Sequence, residues 1–483
     1  MLILERQSSS SRLTWADTML LLDDSRQSAF ATLSGDHNPL HVDLDQARRS
    51  QFGGCVVHGV HLVLAALESL QLCSPFTITG LDVQFRSAVM VGETVTFSHD
   101  LLSNGAARIT VKVGSQVRTT LLFSIDKIAS VGSAAHRLVW PTEVAVLPNL
   151  DELAKVAGND QLAIDEIAFA ALFPFLAASM NRSDAAALLG TTRVVGMRCP
   201  GHWALFRRLV WHRIDGVEAD EALVELIGYQ VSGVDKRFAM VTLDLDVGCR
   251  AIRAEVILRE APPMQIDLDI VRSRVRPDEF KGVRALVVGG SRGLGELTAK
   301  LLGAGGADVL ITYRTGAEDA ARVASDLGNG TRTVQLSMDE LDPAALSQII
   351  AFAPTNISYF ATPVIAKRPP QSWDASTFAR FIDVYVIGLS QLLSTVHGAG
   401  ALTSVFFPSS SFVDDVPAGF AEYVAAKIAG EALCASWQRV HPAHRMVVER
   451  LPPLVTDQTA SRLGGNAVGN LDVMLPVMRQ IMA

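Results

Sequence analysis

The chain is 483 residues long, 49% apolar, and carries a net charge of −8. This length admits about two to four packed domains and excludes a disordered chain; with no basic run to neutralise a phosphate backbone, nucleic-acid binding is not expected. The five cysteines, Cys55, Cys73, Cys199, Cys249 and Cys434, show no paired spacing, so neither a metal site nor a disulfide framework is expected.

At the N-terminus, MLILERQSSSSR lacks the apolar core of a signal peptide. The longest apolar run, Ile167 to Met180, is too short to span a bilayer and contains Pro174. A cytoplasmic protein with no membrane partner is the expectation. The stretch 30–47, FATLSGDHNPLHVDLDQA, carries the most chemistry. Asp36 and His41 flank the turn formers Asn38 and Pro39, which bend the backbone so that carboxylate and imidazole can face one small volume. Together they could hold a water and move its proton. An Asp capping a short helix and a His satisfied in a loop would also account for the pair. Phe30, Leu33-Ser34-Gly35-Asp36, Asn38-Pro39, His41 and Ala47 resemble the signature of the R-specific enoyl-CoA hydratases and MaoC-like dehydratases.

Apolar residues from Val60 to Leu70 run without a strand's alternation and predict a buried helix with Gly59 at its start. Free N–H groups and a partial positive charge at such a terminus would polarise a thioester carbonyl as enolate character develops. A small residue permitting a tight entry is the other reading of Gly59. The resemblance implies that this is the central helix of a hotdog fold and that the Gly59 amide binds the carbonyl, with His58 structural. Downstream, GLDVQFRSAVMVGETVTFSHDLL and ARITVKVGSQVRTTLLFSI alternate as antiparallel strands with one buried face do. The resemblance covers the segment 1–130.

A link from Val139-Trp140-Pro141 to Leu147-Pro148-Asn149 precedes a second segment, 150–260, that repeats the first in weaker form. Its apolar helix, IDEIAFAALFPFLAASM, is followed by VVGMRCPGHWALFRRLVWHRI, read as a bulged strand, and by the strand pair RFAMVTLDLDVGCRAIRAEVILRE. Nothing here matches the Asp36 turn. The segment is therefore read as a degenerate hotdog half that, by resemblance, widens the groove for an acyl chain; the fold class is an α+β double hotdog. Arg207, Arg208 and Arg213 could meet a pantetheine phosphate or an acidic carrier protein, or simply solvate a face.

The third segment, 281–483, opens with a continuous apolar strand, Ala285 to Val288, running into a glycine loop, a helix and a second strand, Val309 to Thr312. Glycines stand where a backbone must approach pyrophosphate. The spacing Gly289, Gly293, Leu294, Gly295, with Ser291 and Arg292 between, resembles that of the short-chain dehydrogenase/reductases and implies an α/β Rossmann domain with a doubly wound parallel sheet. Where an acid would take the ribose hydroxyls of NAD, Tyr313 and Arg314 stand instead, and with Arg292 these suit a 2′-phosphate, favouring NADP over NAD. Asp339 matches the family's adenine-contacting Asp, or is a helix N-cap. Tyr423 and Lys427 lie one helical turn apart on a shared face, so the ammonium would lower the phenol's pKa from about 10 toward a usable value. Ser410 precedes Tyr423 at the family's usual separation and would orient the substrate oxygen. Four departures stand against this: Phe360-Ala361-Thr362-Pro363 in place of the family's Asn-Asn-Ala-Gly, Tyr385 where an asparagine supports the proton relay, Pro453 for a glycine, and Thr456 one residue early. The end, LDVMLPVMRQIMA, reads as a helix with no seventh strand.

Together these resemblances imply an enzyme acting on acyl-CoA or acyl-carrier-protein thioesters. The first part would interconvert enoyl and (R)-3-hydroxyacyl forms through Asp36, His41 and Gly59. The third would interconvert 3-hydroxyacyl and 3-ketoacyl forms with NADP(H) through Ser410, Tyr423 and Lys427. In the rival reading, the third domain is a non-catalytic nucleotide-holding or dimerising scaffold. A homodimer or larger homo-oligomer is expected, since both folds commonly bury apolar helices across symmetric interfaces.

Overall fold

Alternating apolar positions in the first 260 residues become antiparallel strands, each burying one face. They are β1 (Thr18–Leu21), β2 (Phe76–Phe85), β3 (Thr94–Leu101), β4 (Ala107–Val113), β5 (Gln116–Lys127), β6 (Ala157–Gln161), β7 (Ala204–Arg213), β8 (Leu226–Asp235), β9 (Met240–Val247) and β10 (Arg250–Leu258). The computed structural model describes residues 18–102, 106–133, 140, 143–145, 150–214, 225–259, 261–328, 330–365, 373–457 and 468–482. The N-terminal stretch 1–17 and most of the 139–149 link lie outside them. Two compact units result: one takes the chain to Arg48 and from Gly54 to Ala261, the other takes Arg49–Gly53 and the chain from Pro262 onward. The segments 1–130 and 150–260 thus share a single unit.

In the first unit the strands form one sheet in the order β1-β3-β4-β5-β2-β7-β10-β9-β8-β6. Read from each end, the two halves have the same order, and they join where β2 pairs antiparallel with β7, Leu81 opposite Trp211. Between β1 and β2 runs the helix Gly59–Glu68, whose residues from Val60 to Leu67 are all buried, as expected of a helix apolar on every side.

The second half corrects two expectations. The run containing Pro174 forms two short helices, Glu166–Leu172 and Pro174–Ser179, because proline opens a helix readily but cannot continue one. The helix that stands in the place of Gly59–Glu68 is the next one, Arg182–Arg193, and Val194–Arg198 extend it as a wider π turn rather than beginning a strand. Small residues and buried polar groups hide this helix from a periodicity reading. Its Asp184 is fully buried. There it accepts from Arg250 Nε at 2.6 Å, Thr77 Oγ1 at 2.8 Å and the Ile78 amide at 2.8 Å, and so pins the two halves together.

The second unit carries β11 (Arg284–Val288), β12 (Asp308–Tyr313), β13 (Arg332–Gln335), β14 (Asn356–Tyr359), β15 (Ser404–Ser410) and β16 (Arg445–Leu451). They form a parallel sheet in the order β13-β12-β11-β14-β15-β16. The order reverses between β11 and β14, which opens a crevice at the carboxyl ends of these strands. The last described helix, Val468–Met482, buries Leu471, Met474, Leu475 and Met478 in the core; no seventh strand occurs among the described residues. The run Ala375–Gly398 is long and apolar enough to cross a membrane by length and composition. However, it buries Phe381, Tyr385, Leu389, Leu392, Leu393 and Val396 in the core of this unit.

Candidate functional site

The helix Asp24–Ser34 ends at Gly35, whose φ is 72°. A Cβ there would lie 2.4 Å from the Trp140 ring, so both conformation and space call for glycine. Asn38 Oδ1 then accepts from the Leu40 amide at 3.1 Å and opens the short turn Pro39–Val42. This returns the chain, so that ligand atoms of Asp36, His41 and His58 all lie within 4.8 Å of one another. His41 Nδ1 is 2.7 Å from the Val56 carbonyl, which can only accept, so the proton sits on Nδ1 and Nε2 presents a lone pair. His58 Nε2 donates to the Asp36 carbonyl at 2.9 Å. Its Nδ1 accepts from Gln27 Nε2 at 2.9 Å. The His58 ring lies against that of His41, centroids 3.9 Å apart. His58 therefore braces both members of the pair.

Burial pushes the Asp36 carboxyl above its ordinary range, opposed by His41 and by the Thr192 and Asn38 hydrogen bonds. Burial, helped by His58, lowers His41 to about 3, so it is an uncharged base at neutral pH. The amino end of Gly59–Glu68 has no side-chain cap, leaving its first N–H groups without intrahelical partners. A Cβ on Gly59 would come within 3.1 Å of Phe85 and 3.4 Å of Phe206, so two aromatic rings close on this residue. The structure thus brings Asp36 and His41 together and gives Gly59 an uncapped helix start.

Several neighbours carry no sequence motif. Thr192 Oγ1 donates to Asp36 Oδ2 at 2.7 Å. Gly196 lies so close that a Cβ would be 2.2 Å from Asp36 Oδ1. Its carbonyl also accepts from Asn38 Nδ2 at 3.0 Å. Arg193 Nη1 donates to the Ser34 carbonyl at 3.0 Å while its guanidinium lies 3.6 Å over the Trp140 ring. All come from the second half; the equivalence of the two halves was the one signal that could have found them. Arg207 and Arg208, considered for a phosphate or carrier protein, instead pair with Glu255 at 2.9 Å and Asp82 at 2.7 Å.

In the second unit, Gly289 has a φ of 77°, and a Cβ on it would meet the Ala361 amide at 2.9 Å. A Cβ on Gly295 would lie 2.2 Å from the Gly289 carbonyl. These glycines seat the helix Gly293–Ala304, which has no side-chain cap, against the loop. Its opening residues, Gly293, Leu294 and Gly295, follow the loop that leaves the carboxyl end of β11 and contains the buried Ser291. Such an arrangement fits a pyrophosphate. Arg292 is engaged by Asp457 at 2.5 Å, so of the two expected guanidiniums only the exposed Arg314 remains at the end of β12. Asp339 takes the Ser337 hydroxyl and lies in the field of Arg314, both holding its carboxyl low. The N-cap of the following helix is Asp342 rather than Asp339.

Ser410 hydrogen-bonds the Tyr423 phenol, but burial outweighs it and raises Tyr423 above its ordinary value. The expected lowering by Lys427 is overturned. The Lys427 ammonium lies 5.9 Å from the Tyr423 ring and 4.0 Å from that of Tyr385. It donates to the Pro408 carbonyl at 2.7 Å, and burial lowers it to about 7. Tyr385, in the asparagine's place, bonds Thr362 at 2.5 Å. Thr456 stands beside Gly293, 3.7 Å from where its Cβ would be.

Comparison with known proteins agrees with both regions. The family described as MaoC like domain matches residues 14–121, and that described as short chain dehydrogenase matches residues 284–463. The chain thus carries a MaoC-like dehydratase domain followed by a short-chain dehydrogenase domain. No curated protein matches it. Similar solved structures include a short chain dehydrogenase/reductase family protein at 27% identity, covering 38% of this chain and 80% of that one with a TM-score of 0.35. A short chain dehydrogenase from Burkholderia cenocepacia J2315 in complex with NADP is 24% identical, covering 41% and 91% with a TM-score of 0.36. The landomycin C-6 ketoreductase LanV, with bound NADP and rabelomycin, is 23% identical, covering 37% and 78% with a TM-score of 0.33.

Proposed function

We propose that the chain is a bifunctional acyl-thioester enzyme. Its first unit is a double hotdog acting as an (R)-specific enoyl-thioester hydratase, and its second an NADP(H)-dependent 3-ketoacyl/3-hydroxyacyl oxidoreductase. The observation that carries the reading is the convergence of Asp36 and His41, ligand atoms within 4.8 Å with those of His58. In hydration, His41 Nε2 takes a proton from water as its oxygen bonds to C3 of the enoyl group. The double-bond electrons move to the thioester oxygen, held by the Gly59 amide, and C2 then receives a proton delivered through the Asp36–His41 pair. Dehydration retraces these steps.

In the second unit the amides of Gly293, Leu294 and Gly295 suit the pyrophosphate of a dinucleotide, and Arg314 a 2′-phosphate. That cofactor supplies or takes the hydride when bound. Ser410 orients the substrate oxygen, Tyr423 gives or takes its proton, and Lys427, close to neutrality, lies on the same helix to relay it. The 3-hydroxyacyl product of one site is the substrate of the other, which gives the fusion its chemical sense. We further infer a cytoplasmic homo-oligomer working on CoA or carrier-protein thioesters, without nucleic-acid or membrane partners.

Two observations favour a second reading: Tyr385 and Thr362 close on each other where the family keeps an asparagine, and Lys427 is turned onto Pro408. Under that reading the second unit is a nucleotide-holding or dimerising scaffold. The test is a paired assay with crotonyl-CoA hydration and acetoacetyl-CoA-dependent NADPH oxidation. Wild type should support both, and Tyr423→Phe should lose most of the second while keeping the first. An inactive wild type in the NADPH assay would leave the scaffold standing, and absent hydration would end the hydratase reading.

A further inference from the structure

Arg259 follows the last residue of β10, and its amide donates to the Trp203 carbonyl at 2.9 Å. This fastens the strand end to the loop Cys199–Trp203, whose Gly201 carbonyl accepts from Asn38 Nδ2 at 3.2 Å. Asn38 in turn donates its amide to Asp36 Oδ1 at 3.2 Å. The same loop leads into Phe206, one of the rings walling Gly59. Arg259 therefore stands beside the Asp36–His41 loop.

Its side chain is anomalous. Nη2 donates to the His202 carbonyl at 3.1 Å, and the guanidinium lies 5.5 Å from the Trp203 ring centroid. Nε is buried with no acceptor. Arg193, Arg208 and Arg250 of this unit each hold an aspartate, but no carboxylate among the described residues pairs with Arg259. Burial lowers it to about 10, with no acid opposing, and its field reaches both His41 and His202. A largely desolvated guanidinium with an unused donor is costly unless an anion completes it.

We propose that Arg259 anchors an anionic group of the thioester substrate beside the Asp36–His41 pair: a carboxylate on the acyl chain or a phosphate of its pantetheine carrier. A planar guanidinium with an unused Nε–H suits either group. The role assigned to the group rests on the hydratase reading; the anion site itself does not.

Three thioesters separate the sources: crotonyl-pantetheine with no anion, crotonyl-CoA with phosphates, and glutaconyl-pantetheine with a carboxylate only. Arg259→Gln should lower kcat/KM about 10- to 100-fold, through KM, for whichever of the last two carries the recognised anion. Crotonyl-pantetheine should be unaffected, and Arg259→Lys should recover part of the loss. An equal loss on all three substrates, or none on any, overturns the proposal. Calorimetric titration with CoA and with glutaryl-pantetheine reads the site without turnover. Weaker binding of one of them by Arg259→Gln supports the anion site even if wild type hydrates nothing, an outcome that would count against the hydratase reading alone. Unchanged binding of both overturns the anion site.

Discussion

The two halves of the first unit share a strand order and differ in how their helices begin. In the first half, Gly59–Glu68 starts without a side-chain cap, walled by Phe85 and Phe206. In the second, Asn181 accepts from the Ser183 and Asp184 amides and so satisfies the end of Arg182–Arg193. A capped terminus spends its donors within the protein; an uncapped one keeps them for a ligand. The bodies of the helices differ in the same sense, apolar apart from His61 and the terminal Glu68 in one and carrying the buried Asp184–Arg250 ion pair in the other. One scaffold thus divides the labour: the first half carries the Asp36–His41 pair and the second braces its loop through Thr192, Arg193 and Gly196.

The two halves differ most sharply at the Asp36–His41 pair, which, among the described residues, only the first carries. Asp36→Asn or His41→Gln should lower crotonyl-CoA hydration by about 10²- to 10⁴-fold without unfolding the protein. Full activity in either variant would return both residues to a structural role. On the other side of the comparison, Asp184→Ala leaves Arg250 buried and unpaired, and should cost about 3–5 kcal/mol in urea denaturation. A loss within the error of a surface substitution would show that neither this ion pair nor the Asp184 bonds to Thr77 and Ile78 across the halves hold the unit together.

Thr192→Val tests whether the second half acts on the first. Losing a hydrogen bond to a buried carboxylate costs about 1.5–3 kcal/mol, so kcat should fall roughly 10- to 100-fold with KM nearly unchanged. The acidic limb of the rate profile should also move to higher pH, because Thr192 holds the Asp36 pKa down. Thr192→Ser should restore both.

A further contrast is acid sensitivity, concentrated in three buried imidazoles of the first half. Burial lowers His41, His58 and His61 each to about 3. The unfolded chain therefore binds protons below about 6.5 that the folded chain does not, and stability falls as pH drops from there toward 3. Each imidazole contributes about 1.4 kcal/mol per pH unit within that window. Asp36 acts oppositely, since a raised carboxyl favours the fold at low pH and this is lost as pH rises through its folded value. His61→Leu should flatten the slope between pH 6 and pH 4 by about one proton, measured by urea titration at each pH. An unchanged slope would mean that His61 titrates normally in the fold.

The Asp36–His41 turn, the glycine loop and the Tyr423–Lys427 helix face were legible in the sequence because each is short-range: a turn, a strand-to-helix junction and one helical repeat place those side chains whatever surrounds them. The second half is legible in its strands but not in its helices: the apolar run reads as one helix, whereas Pro174 divides it and the core position passes to a helix rich in small and buried polar residues.

What only the tertiary structure decided depends on sheet pairing and burial. Thr192 reaches Asp36, and Phe206 reaches Gly59, only because β2 and β7 lie side by side. No spacing records such contacts between distant parts of a chain. The pKa shifts were likewise decided by packing, against the lowering expected for Tyr423: water exclusion, more than neighbouring charge, raises Asp36 and Tyr423 and lowers His41 and Lys427. The sequence by itself determined which chemical groups meet within a turn. Packing determined which of them are dry, braced and charged.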